Sequence, residues 1–122
     1  FATKVLLEKD SALRAVKIAG VFTSNKTGEV MFNVNPVVNS VTVASRAEEV
    51  GENSTVLDAE IDGQAQEAVF NPKYMADGLG AIATPKFFLL MNSGASAAVI
   101  RMATDKKEEI PTYTYIIMPI KN

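Results

Sequence analysis

The 122-residue sequence contains no cysteine and no histidine. Without thiols there is no disulfide framework, no thiolate nucleophile and no Cys-ligated metal, and a reducing compartment such as the cytoplasm is expected. Without imidazole the Ser-His-Asp arrangement and the commonest protein metal ligand are both unavailable. Most hydrolase and metalloenzyme chemistry is thereby excluded, and no enzyme is expected. A phosphate loop is missing too: Gly78-Leu79-Gly80 stands without the rest of any dinucleotide or phosphate fingerprint, so no cofactor is implied. There is no apolar run of about 18 residues, and no N-terminal basic region leading into an apolar stretch and a cleavage site. Neither a membrane span nor a secretory signal is expected. Nor is there a charge excess, since twelve Lys and Arg stand against fourteen Asp and Glu, a formal net charge of −2. Any attraction to nucleic acid must come from a local basic face, and the chain by itself should hold DNA weakly. The sequence opens at Phe1 without a methionine, which reads as a piece of a longer protein.

What is present is an ordinary globular composition, 48% apolar and 21% charged, which argues against disorder. At this length a single domain, residues 1–122, buries roughly two-thirds of its unfolded surface and needs no staple. Thr3 to Glu8 is an apolar, β-leaning run. From Lys9 to Ala19 the period changes: Ala12, Val16 and Ala19 fall at i, i+4 and i+7 on one helical face, and Gly20 sits at the expected C-cap. Val21-Phe22 is strand-like and leads into a turn from Ser24 to Gly28. Glu29 to Val34 and Ser40 to Ser45 follow as strands paired around Asn35-Pro36, with Val37-Val38 blurring the turn. An acidic loop, Glu48 to Asn53, precedes a strand from Thr55 to Ile61 that Asp62-Gly63 closes.

From Gln66 the same order returns. Strand Glu67 to Phe70 runs into a helix opened by Asn71 as N-cap and Pro72 at the first helical position. Met75, Leu79 and Ile82 repeat the apolar helical spacing at a constant offset of 63 residues from Ala12, Val16 and Ala19. Strands Lys86 to Met91, Ala97 to Met102 and Thr112 to Ile120 complete a second copy, separated by the turn Asn92-Ser93-Gly94 and the charged loop Thr104 to Glu109. The expectation is an α+β fold: a duplicated βαβββ unit, residues about 3–63 and 66–122, with two helices packed on one face of antiparallel sheets. Gly78 and Gly80 each cost the second helix about 1 kcal/mol relative to alanine. They mark either close packing or an early helix end.

The C-terminal strand places Ile116, Ile117 and Met118 beside Pro119 and Ile120. Alternation cannot bury both faces of such a run in one sheet-helix layer, so apolar surface should stay exposed. An apolar groove with an adaptable methionine suits the side chains of an extended peptide, although an ordinary core strand at a chain end has the same pattern. Asp58, Glu60 and Asp62 alternate along one predicted strand and could converge on a hard cation. A polar strand face has the same spacing and is the expected reading, with no metal.

The duplicated plan, with Phe70-Asn71-Pro72-Lys73-Tyr74, the strand ending Val99-Ile100-Arg101 and the terminal Tyr115-Ile116-Ile117-Met118-Pro119-Ile120, resembles the third domain of bacterial β sliding clamps, the DNA polymerase III β subunit family. The first segment is similar to the family's Phe-Asn-x-x-Tyr helix start and the last to its Tyr-x-x-Met-Pro-hydrophobic strand; the N-terminal half matches in layout. Lys121 keeps the family's basic residue, while Asn122 stands where leucine is common. The resemblance implies a DNA clamp fold and a non-catalytic processivity factor, a homodimeric ring that encircles double-stranded DNA without sequence preference. It implies that Ile116, Ile117, Met118, Pro119, Ile120 and Lys121, with Asn71, Tyr74, Ser96 and Ala98, line a cleft for short linear motifs. The motifs would belong to DNA polymerase, the clamp loader and repair proteins, and a preceding domain would supply the cleft's other wall. Arg14, Lys17 and Lys73 would face DNA, although scattered helical cations are commonly just solvated surface. Val21, Phe22, Glu48, Glu49 and Glu52 would meet the partner subunit; the apolar pair could equally be core, and the acidic loop a guard against edge pairing. Taken alone, the chain should be monomeric or weakly self-associating. The rival reading is a stand-alone module that binds peptides by strand addition and has nothing to do with DNA.

Overall fold

The computed structural model describes residues 1–21, 28–47 and 51–120, with the backbone alone at 46, 47, 51, 52 and 111. In chain order the elements are β1 (Thr3–Glu8), α1 (Lys9–Val21), β2 (Val30–Asn35), β3 (Ser40–Ala47), β4 (Gly51–Asp58), β5 (Glu60–Gly63), β6 (Gln66–Phe70), α2 (Pro72–Gly80), β7 (Lys86–Met91), β8 (Ala98–Ala103) and β9 (Glu109–Ile117). The strands form a five-stranded sheet in the order β5-β1-β7-β8-β9 and a four-stranded sheet in the order β4-β3-β2-β6, with antiparallel pairing throughout. This is the expected α+β class.

The opening strands are exchanged. β1 pairs with β7 from Thr3↔Met91 to Glu8↔Lys86, and β6 pairs with β2 from Val30↔Phe70 to Val34↔Gln66. Each βαβββ stretch therefore lends its first strand to the sheet built by the other. At the seam, the Gln66 side-chain amide donates to the Thr3 hydroxyl at 3.1 Å, and that hydroxyl donates to the Gln64 carbonyl at 2.8 Å. A threonine with no exposed surface is thus satisfied on both counts.

The two helices pack against each other, with α1 also touching β1 to β4 and α2 touching β9. Ala12, Val16, Ala19, Met75, Leu79 and Ile82 are all buried, as the shared helical spacing requires, with Ile82 just past the end of α2. Phe32 and Phe70 meet edge-on at 5.6 Å and join β2 to β6 in this core. Such a contact contributes about 0.5–1.5 kcal/mol beyond the area it buries. A second, smaller cluster of Leu6, Phe88, Leu90, Val99 and Ala103 lies apart from it. Among the described residues no helix is long and apolar enough to cross a membrane.

Strand ends depart from expectation wherever a partner strand runs out. The run from Thr55 to Ile61 is not one strand: β4 ends at Asp58 opposite Ser40, the first residue of β3, and β5 continues in the other sheet. Ala59 makes the crossing and donates its N–H to the Asn39 carbonyl at 3.0 Å. The expected acidic loop is shorter, because β3 extends to Ala47 and recruits Gly51, Glu52 and Asn53 into β4; Glu48 and Glu49 lie outside the described residues. β9 begins earlier than expected, at Glu109, and ends at Ile117 opposite Ala98, where β8 starts. Its register jumps from Arg101↔Thr114 to Met102↔Ile110, and Pro111, which has no N–H for a ladder, falls in the skipped segment. Val21 closes α1 instead of opening a strand, and Gly20 lies within that helix. One β-branched residue in a last turn costs little, and Val21 stays 78% exposed. The β2–β3 turn is made by Asn35, whose side chain accepts from the Val37 N–H at 3.1 Å, and by Asn39 at φ 49°. Val37 and Val38 simply face solvent.

The two helix glycines have different causes. A Cβ on Gly78 would lie 2.5 Å from Tyr115 Cδ1, whereas one on Gly80 would meet nothing within 4 Å. Gly78 is therefore required for packing and Gly80 is not. Gly78→Ala should destabilise the chain by about 1–3 kcal/mol, and Gly80→Ala should leave it unchanged or more stable by up to about 1 kcal/mol. Urea unfolding of both variants checks this, and equal effects would refute the assignment.

Candidate functional site

The helix start at Asn71 forms as its residues dictate. Asn71 adopts an extended conformation (φ −74°, ψ 122°), and its side-chain oxygen accepts from the N–H groups of Lys73 at 2.9 Å and Tyr74 at 3.3 Å. Pro72 fills the first helical position, where a missing N–H costs nothing. This cap leaves Tyr74 57% exposed at the surface.

β9 alternates against it. Tyr113, Tyr115 and Ile117 point toward the core and α2, while Thr112, Thr114 and Ile116 point away. The Tyr113 hydroxyl donates to the Gly78 carbonyl at 3.0 Å and the Tyr115 hydroxyl to the Tyr74 carbonyl at 3.1 Å. Burial, then the neighbouring Tyr115, push the Tyr113 phenol above its usual value, so it remains a donor. Past Ile117 the chain leaves the five-stranded sheet, and the Ile120 N–H donates to the Val69 carbonyl at 2.7 Å, on β6 of the other sheet. The Tyr115 and Ile120 hydrogen bonds thus bring the β6–α2 junction and the C-terminal segment together, while the Tyr113 bond holds the far end of α2.

Not every expected cleft residue faces outward there. Ile116 and Met118 are 65% and 60% exposed, and Tyr74 and Ser96 are exposed as well. Ala98 and Ile117, cross-strand partners, belong to the core, and Pro119 is buried. These three back the surface instead of lining it. Ser96 closes the turn before β8 through its hydroxyl, 2.9 Å from that of Ser93. Asn71 and Ile120 are partly buried, and Lys121 lies outside the described residues.

The opposite face of the same strand is held by charge. Glu109 meets Lys4 and Arg101, each at 2.8 Å, and Arg101 also donates to the Thr114 hydroxyl at 3.3 Å. Lys4 lies 4.5 Å over the Phe88 ring, so its stem and charge both cover the smaller apolar cluster. The hydrogen bonds from Lys4 and then Arg101 hold the Glu109 carboxyl below its usual value.

The other candidate groups are separated. Arg14, Lys17 and Lys73 are exposed on the two packed helices and make no ion pair among the described residues. Asp10 and Asp77 are exposed on the same helices. Asp58 ends β4 in one sheet, while Glu60 and Asp62 sit on β5 in the other, and Glu60 pairs with Lys107 at 2.9 Å. The predicted carboxylate row along one strand does not exist, because the strand changes sheets at Ala59. Of the expected subunit contact, Val21 is exposed and Glu52 lies on the edge strand β4 opposite Arg46; Phe22, Glu48 and Glu49 lie outside the described residues. The part missed by sequence reading is Tyr113; close packing is one of the two sequence readings of Gly78 and is the one found, and Tyr115 belongs to a motif, but that reading gives neither a place near the cleft. A Tyr-x-Tyr strand following a glycine-bearing helix was the available signal.

Two mutually completing antiparallel sheets with a paired-helix layer and a strand-end tail define a DNA clamp fold. The profile described as "DNA polymerase III beta subunit, C-terminal domain" matches residues 1–121. The chain belongs to that family. It is 28% identical over 121 residues to the beta sliding clamp of Synechococcus elongatus and 26% identical over 115 residues to that of Caulobacter vibrioides. These alignments cover 99% and 94% of this chain but 31% and 29% of the relatives' lengths. Among solved structures, the DNA polymerase III beta subunit of Thermotoga maritima superposes with a TM-score of 0.89 at 26% identity, over 100% of this chain and 31% of that one. The DNA polymerase sliding clamp of Bacillus subtilis shares the fold with a TM-score of 0.88 at 20% identity, over 99% and 31% of the two chains.

The Glu109 network predicts an acid sensitivity. A carboxyl held below the ordinary glutamate value of about 4.3 adds stability above that value and loses it as pH falls through its folded value. The urea midpoint of the unaltered chain should therefore fall more steeply between about pH 5 and pH 3 than that of Glu109→Gln. Parallel pH profiles would show that the network contributes nothing.

Proposed function

We propose that the chain acts as the C-terminal domain of a β sliding clamp, a single domain built from the two βαβββ stretches at about 3–63 and 66–122. In the whole protein it would form part of a homodimeric ring around double-stranded DNA, tethering polymerase and other partners in the cytoplasm without catalysing a reaction. The observation that carries the reading is the junction at the C-terminal tail: Tyr74, Ile116 and Met118 remain exposed where the Tyr115–Tyr74 and Ile120–Val69 hydrogen bonds join the C-terminal segment to the β6–α2 junction. Exposed apolar anchors on a fixed base are what an extended peptide with leucine and phenylalanine side chains requires. Ser96 and Asn71 supply polar edges, and Ile120 with Lys121 would continue the surface. Family membership favours this over a stand-alone module unrelated to DNA.

Encirclement explains why the helical cations can be few. A ring that cannot fall off needs only loose, sequence-independent phosphate contacts, and Arg14, Lys17 and Lys73 are exposed and make no ion pair among the described residues, as that role demands. Val21 at the end of α1 and Glu52 on the edge strand β4 would belong to the subunit contact, with Phe22, Glu48 and Glu49. With the opposing domains missing, the chain alone should be monomeric and should bind peptide weakly.

Titration of the isotope-labelled chain with the acetylated peptide Gln-Leu-Ser-Leu-Phe tests the cleft. Backbone NMR signals of Tyr74, Ile116 and Met118 should shift at millimolar peptide, whereas those of Val37 on the remote hairpin should not. Shifts confined to other surfaces, or none, would remove the cleft assignment.

A further inference from the structure

We propose that Tyr115 is a positioning residue for the peptide cleft, its hydroxyl setting the Tyr74 wall relative to Ile116 and Met118; this rests on reading the tail junction as that cleft. Tyr113 and Tyr115 are two residues apart on β9, so they share a face and reach one helical turn, Tyr74 to Gly78, at its two ends. Their hydroxyls nevertheless do different things. The Gly78 carbonyl lies in the last turn of α2, and the Ile82 N–H that would serve it in a continuing helix goes to Leu79 at 3.1 Å instead. Tyr113 supplies the donor that this carbonyl would otherwise lack, which is a capping role. The Tyr74 carbonyl is four residues before Gly78 and so already has an intrahelical donor. The Tyr115 hydroxyl is thus a second donor there, unnecessary to the helix and available to locate it.

Location is what the cleft needs. Tyr115 immediately precedes Ile116, so the residue that reaches inward to the Tyr74 backbone fixes the outward residue beside it. The absence of a side chain on Gly78 lets the Tyr115 ring approach the helix closely enough for its hydroxyl to arrive. Neither Tyr115 nor Gly78 is required to touch a peptide for this to operate.

The test compares Tyr115→Phe and Tyr113→Phe in the same chain, since each keeps its ring and removes one hydroxyl. Dissociation constants for acetylated Gln-Leu-Ser-Leu-Phe are read by NMR titration and stability by thermal melting. Tyr115→Phe should weaken peptide binding about three- to ten-fold, the equivalent of one hydrogen bond, with little change in melting temperature. Tyr113→Phe should lower the melting temperature and leave the dissociation constant unchanged. Unaltered affinity in Tyr115→Phe, with the unsubstituted chain binding normally, would overturn the positioning role and leave the cleft standing. The role would equally fall if Tyr115→Phe lost affinity only in proportion to lost stability. Failure of the unsubstituted chain to shift at Tyr74 and Met118 would overturn the cleft itself, and the positioning role with it.

Discussion

The exchange of opening strands is the constraint on which the other features rest. β1 finds its ladder with β7, about 80 residues along the chain, and β6 closes the sheet begun by β2. Neither βαβββ stretch can complete a sheet by itself, because each has given away its first strand. The entropy of closing these long loops is recovered only when both sheets form, so the two stretches stabilise each other or not at all. The seam residues Thr3 and Gln66, separated by the same offset of 63 that relates the helices, carry this interdependence in one hydrogen bond, and the Thr3 hydroxyl adds a second to the Gln64 carbonyl.

That exchange also decides where the tail can go. β6 is an edge of the four-stranded sheet and leads without a loop into Asn71 and α2. Its Val69 carbonyl receives the Ile120 N–H, so the chain end crosses from the sheet that holds β9 to the one that holds β6. Pro119 is buried at the crossing and, having no N–H, leaves no unmet donor there. Met118 and Ile116 are left on the surface. Full burial of such a side chain is worth about 1.5–3 kcal/mol, so their exposure forgoes stability that a purely structural end could have captured.

The helix faces were legible because a spacing of three and four residues has one geometric meaning. All six positions of the repeated apolar spacing, five in the helices and Ile82 just past α2, are buried, and the Asn71-Pro72 start forms by the capping chemistry its residues carry. Strand limits were not legible, since a strand ends where its partner ends and the partner lies elsewhere in the chain. Thr55 to Ile61 reads as one apolar alternation, yet Ser40 opposite Asp58 divides it between two sheets. The tail shows the same limit. The strand's apolar run indicated that some apolar surface must remain exposed, but only the β8–β9 register separates exposed Ile116 from buried Ile117, and only the crossing of the tail to β6 separates exposed Met118 from buried Pro119. The contacts of Tyr113 and Tyr115 with α2 escaped notice because hydrogen bonds to backbone carbonyls leave only the Tyr-x-Tyr spacing as a trace in sequence.

β9 is held from both faces by unlike means. Toward the core, two phenol hydroxyls and a missing Cβ set its distance from α2. Away from the core, Glu109 joins Lys4 of β1 and Arg101 of β8, with Lys4 lying over Phe88. A strand fixed on two sides presents its terminal side chains with little left to order, and preorganisation raises affinity by reducing what binding must immobilise. This matters most for a surface with few anchors. On the proposed reading, a cleft anchored by Tyr74, Ile116 and Met118 holds a short peptide only modestly, and a clamp would not need more. When the partner is already confined to the same DNA, a modest contact is multiplied by effective concentration, and a weak site that is ready-formed can exchange one partner for another.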